Sequence, residues 1–171
     1  MTIIQLVKAV LEDNWAKSID GRWNDVPKPE IVFEKNIAQG DLKTTDYLKI
    51  QDGGDYTFEP QGFGWTHEHV EGVVTISARS VDRRVDGTKV DGRVRVFGER
   101  EESPPYSAER HGGLVGETVR VLKAYRDGVA EWDRVEYGPI RDNSDMGGSN
   151  YYRADTDVVL INNASEIDPS T

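Results

Sequence analysis

Apolar side chains near the start of the chain recur at helical spacing: Ile3, Val7, Val10 and Leu11 form a stripe with Ile4 and Trp15. Thr2 and Gln5 have the spacing of a capping box, in which each side chain accepts the other residue's backbone N–H. The pattern predicts a helix that ends near Lys17, with Gly21 beyond it. Pro27 and Pro29 force an extended path into Ile31-Val32-Phe33, a short apolar run read as a strand. A second strand spans 46–51 around Tyr47-Leu48-Lys49-Ile50, and Asp52-Gly53-Gly54-Asp55 turns the chain. Residues 56–60 are then the returning half of a hairpin. The longest strand covers 66–80. Val70, Val74 and Ile76 lie on one face, and His67, His69, Val73 and Thr75 on the other.

Two Asp-Gly steps follow, Asp86-Gly87 and Asp91-Gly92, the second flanked by Val90, Val94, Val96 and Phe97. They predict an excursion built on a β-hairpin, which Ser103-Pro104-Pro105 closes. Leu114, Val115, Val119, Val121, Leu122 and Tyr125 define a second helix within 107–127, with Arg120, Lys123 and Arg126 on its polar side. Gly112, Gly113 and Gly116 weaken its start, which moves toward Gly113, and Gly128 stops it. Strands at 131–137 and 151–162 complete the set, joined by a polar loop at 141–150. The expected class is α+β. It comprises a small, mostly antiparallel sheet of about four to five strands, two helices on one face, and a projecting arm around 79–105. The domain covers 1–163, and 164–171 is expected to be a disordered tail.

A length of 171 residues suits one domain. With 36% hydrophobic and 30% charged residues the core must be modest. No apolar run approaches the ~20 residues of a membrane-spanning helix, so no membrane role is expected, and the first residues lack a signal-peptide layout. The chain has no cysteine, which excludes disulfides, thiolate metal sites and a cysteine nucleophile. A net charge of −10 argues against nonspecific nucleic-acid binding by the whole surface. Aspartate (17) exceeds glutamate (14), and arginine (13) exceeds lysine (8). Adaptation to high salt and an ordinary acidic protein both fit that balance. One stretch runs the other way: residues 79–100 hold 7 basic and 4 acidic side chains, a balance of +3.

Candidate chemistry is sparse. His67 and His69 share a strand face and could hold a metal with Glu71 or His111 as third ligand, the arrangement a metal-dependent hydrolase would need. Ordinary polar residues explain them as well and are preferred, so no metal is assigned. The run from Asp142 to Gly147 loosely resembles a calcium loop but has Met146 at the fifth position and Arg153 at the twelfth, where a bidentate glutamate belongs. There is no phosphate loop and no serine elbow. The expectation is a protein that is not an enzyme and uses no cofactor. The basic segment offers more. Arg79, Arg83, Arg84, Lys89, Arg93, Arg95 and Arg100 could dock an acidic neighbouring copy, touch DNA phosphates, or be solvated; docking is preferred, since the rest of the chain supplies the opposite charge. Trp132, Tyr151 and Tyr152 are further interface candidates, with core filling as the competing role.

The order of these elements resembles the tail-terminator (tail-completion, or minor tail) family of long-tailed viruses. The likeness lies in the helix over 3–15, the Pro-containing extended stretch, Asp46-Tyr-Leu-Lys-Ile50 and the long strand His67-Glu-His-Val-Glu-Gly-Val-Val-Thr-Ile-Ser77. It continues through Val119-Arg-Val-Leu-Lys123 and the closing pair Trp132-Asp-Arg-Val-Glu136 and Tyr151-Tyr-Arg-Ala-Asp-Thr-Asp-Val-Val-Leu160. The excursion at 79–105 is longer than the family pattern. The resemblance implies an α+β fold and a homohexameric ring at the tail–neck junction of the virion. That ring caps the tail-tube protein and meets neck or head-completion proteins, and viral DNA crosses its lumen without sequence-specific binding. With the salt-adapted reading, the host would be a halophilic archaeon. A head–tail adaptor, a stopper and a tail-tube subunit share the same assembly logic.

Overall fold

The computed structural model describes residues 2–15, 26–33, 35–53, 68–98, 113–124, 132, 134–145 and 151–163. Helix α1 (Ile3–Asn14) starts at the expected capping box: Gln5 N–H donates to Thr2 Oγ1 at 3.3 Å, and Thr2 N–H donates to Gln5 Oε1 at 3.0 Å. Trp15 leaves the helical conformation and its indole N–H donates to the Val26 carbonyl at 3.0 Å, tying the helix end to the extended stretch. Strand β1 (Glu30–Phe33) pairs in parallel with β2 (Tyr47–Asp52), with a 3-10 turn at Gln39–Lys43 on the connection. β2 pairs antiparallel with the long strand β3 (Glu68–Val81). A two-stranded hairpin follows, β4 (Arg83–Val85) and β5 (Thr88–Val90), then helix α2 (Gly92–Phe97) and helix α3 (Gly113–Ala124). Strands β6 (Arg134–Tyr137), β7 (Arg141–Asp142) and β8 (Tyr151–Asn163) close the sequence of elements. The six-stranded sheet runs β1-β2-β3-β8-β6, with β7 also on β8. The fold is α+β: a mixed, mostly antiparallel sheet with, among the described residues, three helices and a small separate hairpin.

The pairing of β3 with β8 is the spine. It extends from Val81↔Tyr151 to Glu68↔Asn163, with a register shift between Val70 and Gly72. Alternation puts Val74, Ile76 and Ala78 of β3 beside Ala154, Val158 and Leu160 of β8, in one core with Val7, Val10 and Leu11 of α1 and Leu114, Val121 and Leu122 of α3. Trp132 is fully buried in that core, and its indole N–H donates to the Leu122 carbonyl at 3.2 Å, one of the last-turn acceptors that α3 cannot satisfy internally. Other positions of the strands carry buried polar groups, Lys49, Ser77, Arg79 and Asp155, and two small apolar clusters, Leu42–Tyr47–Val81 and Val73–Val159–Ile161.

Several expectations need correction. Only the first Asp-Gly step makes a hairpin turn, with Asp86 and Gly87 at φ 50° and 80°. The second opens a helix, because the Asp91 carboxylate accepts the N–H groups of Arg93 (3.0 Å) and Val94 (3.3 Å) and so caps α2. The excursion is therefore a hairpin followed by a helix that returns to pack on β3, β8 and α3, and its residues 99–105 lie outside the described ones. Gly92 permits that return: a Cβ there would sit 2.7 Å from the Val81 carbonyl carbon and 2.8 Å from the Tyr152 ring. The loop expected at 141–150 contains β7, which pairs Arg141 with Asp155. Arg120, expected on a polar helix face, is buried and bonded to the buried Glu117, within a helix buried from Gly113 to Leu122. The expected returning strand at 56–60, the ends of the 107–127 helix and the tail at 164–171 lie outside the described residues. Ile76 is fully buried at the centre of the spine. Ile76→Ala is expected to lower unfolding free energy by about 2–5 kcal/mol, read from the midpoint of a guanidinium titration at unchanged slope.

Candidate interaction site at the cationic hairpin

Asp46 immediately precedes β2, and its carboxylate has no solvent exposure. Three side chains converge on it. Arg83 Nη1 donates to Oδ1 at 2.6 Å and Ser80 Oγ donates to the same oxygen at 2.5 Å; Arg95 Nε donates to Oδ2 at 2.7 Å and Arg95 Nη2 lies 2.5 Å from it. Ser80 comes from the end of β3, Arg83 from β4 and Arg95 from α2. One carboxylate thus fastens the hairpin and the helix after it to one end of the β2–β3 pair. Burial alone would push the Asp46 carboxyl above the 3.8 of a free aspartate; the bonds from Arg83 and Ser80 and the charges of Arg95 and Arg83 outweigh it and hold it below.

Two guanidinium groups share this single anion, so the node retains positive charge. The Arg83 side chain is 9% exposed, and its Nε is buried with no hydrogen-bond acceptor among the described residues. A cleft of about 500 Å³ opens beside the node, between the hairpin, α2 and the Thr44–Thr45 segment. Arg83, Arg95, Val85, Val90 and Val94 line it together with Thr44. Val85 and Val94, 41% and 40% exposed, are among the few large apolar side chains left in solvent within the described residues. Elsewhere on the hairpin, Arg84 pairs directly across from Lys89. Both are exposed and, among the described residues, neither has an acidic partner. Like charges in direct cross-strand register are unfavourable, so the fold leaves this pair with charge to neutralise.

The candidates from sequence fall in different settings. Arg83 and Arg95 bind Asp46, and Arg79 is buried with its Nε donating to Ser77 Oγ at 3.1 Å, so all three are engaged inside the subunit. Trp132 is core, and Tyr152 packs in the same core with its hydroxyl 3.4 Å from Asp82 Oδ2. Tyr151 is half-buried against the Leu42–Tyr47–Val81 cluster. Arg93 lies over the Phe97 ring at 5.1 Å and 3.7 Å from Asp142 Oδ2. Arg84 and Lys89 remain as outward cations. Residue His67 falls outside the described residues, and of His69 and Glu71 only the backbone is described, in β3. The register shift between Val70 and Gly72 interrupts, at Glu71, the alternation used to group those three. Asp46 escaped sequence reasoning. Its only signal was a lone carboxylate abutting the apolar run Tyr47–Ile50, with nothing in the spacing to pair it with residues 37 and 49 positions away.

Removing the Asp46 carboxylate strands two guanidiniums. Asp46→Ala is expected to lower stability at neutral pH by about 3–5 kcal/mol. Because the folded carboxyl titrates below 3.8, its contribution is complete above that value and vanishes as pH falls through the lower folded value. Urea unfolding of wild type and Asp46→Asn across that range should therefore show a gap that is widest at neutral pH and narrows under acid. Compared with protein-family models the chain matches none, and a search of curated proteins finds no match to it.

Proposed function

We propose that this chain is a structural virion subunit, a tail-terminator-type protein that assembles into a hexameric ring. The ring caps the tail tube, joins it to neck or head-completion proteins, and lets viral DNA through its lumen. The observation that carries the reading is the hairpin, where Arg84 and Lys89 face each other in solvent with no acidic partner among the described residues, on a chain of net charge −10. Residues 83–97 hold 5 basic and 2 acidic side chains, a balance of +3, which leaves the remaining chain at −13. A surface of that kind suits a contact between unlike patches of identical subunits, the geometry that closes a ring by rotation. The folded elements run helix, strands, two helices and closing strands, which differs from the order that suggested the terminator family by the added helix α2. The acidic remainder of the subunit would let DNA pass without adhering.

Light scattering and negative-stain imaging, from physiological to molar salt, test this. The expected particle has six times the mass of the 19.2 kDa chain and a central hole. Arg83 is unsuitable for charge reversal, since a glutamate there would face buried Asp46. Arg84→Glu with Lys89→Glu leaves the node intact and is expected to weaken association by about tenfold or more. A wild-type chain that remains monomeric even with tube tips present would refute the assignment.

A further inference from the structure

The cleft between the hairpin and α2 joins a cationic floor to apolar walls. Its inner wall holds Arg83 and Arg95, two guanidiniums against the single carboxylate of Asp46, and the buried Arg83 Nε has no acceptor among the described residues. A buried donor left unmade and an uncancelled charge are both costly. Its outer wall is apolar, with Val85 and Val94 in solvent beside Val90. The other charged groups at the cleft are committed or outward. The Asp91 carboxylate caps α2, Lys28 sits 2.5 Å from Glu12, and Lys89 is the cross-strand partner of Arg84. The exposed Thr44 adds a hydroxyl. A positive floor under apolar walls matches a carboxylate carried on an apolar segment.

We propose that this cleft is a socket for a carboxylate side chain of a second copy of the chain, seated on the Arg95–Arg83 face with its apolar flank against Val85 and Val94. The proposal rests on the self-assembly reading above and specifies one of its contacts. Charge complementarity identifies the occupant, since a neighbouring copy brings a chain in which acids exceed bases by 13 outside its own hairpin and α2. The two faces of the excursion then divide the work: Arg84 and Lys89 attract the neighbour over a distance, and the cleft fixes its position.

Val94 is exposed and sits on the third position of α2, where a glutamate suits the helix and the N–H cap is retained. Val94→Glu places a carboxylate at the cleft mouth, and Val94→Gln has the same shape without charge. Association is measured by sedimentation, with folding monitored by thermal melting. The expected result is association at least about tenfold weaker for the glutamate variant than for the glutamine variant, at equal melting temperature. Equal association of the two variants, with the wild type still assembling, would overturn the socket and leave the ring reading standing. A monomeric wild type would overturn both. A Val94→Glu defect confined to retention of added duplex DNA, with mass unchanged, would assign the cleft to phosphate and overturn the carboxylate occupant.

Discussion

A carboxylate sealed from water holds only where cations and donors replace its hydration, and Asp46 is held in that way. Its partners come from three separate elements, the end of β3, β4 and α2, so the excursion between the sheet and α3 has a fixed pose. Without that node the hairpin is a two-stranded ribbon, a form of little stability alone. The hydrophobic core secures the sheet and helices, where each fully buried aliphatic side chain contributes about 1.5–3 kcal/mol. The node is what directs a cationic segment outward from an acidic molecule. Everything argued about association depends on that direction.

Much of the fold was legible because it follows from local periodicity. Ile3, Val7, Val10 and Leu11 repeat at helical spacing, Thr2 and Gln5 announce the cap, and alternation at 66–80 and 151–162 marks the two spine strands. Errors arose where one local signal admits two outcomes. Asp-Gly begins a hairpin at Asp86 and a helix at Asp91, and the difference lies in whether the aspartate takes a positive φ or stays extended and caps the N–H groups ahead of it. The parallel pairing of β1 with β2 was illegible for another reason: it depends on the crossover through Gln39–Lys43, which has no periodic signature.

The candidate site was half legible. Charge counting found the basic segment, but charge counting treats every arginine alike. The fold sorts them: Arg79, Arg83 and Arg95 turn inward to serine or aspartate, while Arg84 keeps its exposure. Long-range partners such as Asp46 are a property of the sheet register, which brings Tyr47 beside Arg79 and so carries Asp46 to the end of β3. For the proposed ring this sorting matters, since internal ion pairs set the shape that outward charges then present.

The spine also constrains how the molecule is made. Thr75 bonds to Asp157, 82 positions further along the chain, and every rung of the β3–β8 ladder spans a comparable distance. Contacts so remote in sequence raise contact order and slow folding toward the millisecond-to-second range typical of sheet proteins. While a ribosome is still completing β8, the inner edge of β3 lacks its partner, and an unpaired apolar edge invites other strands.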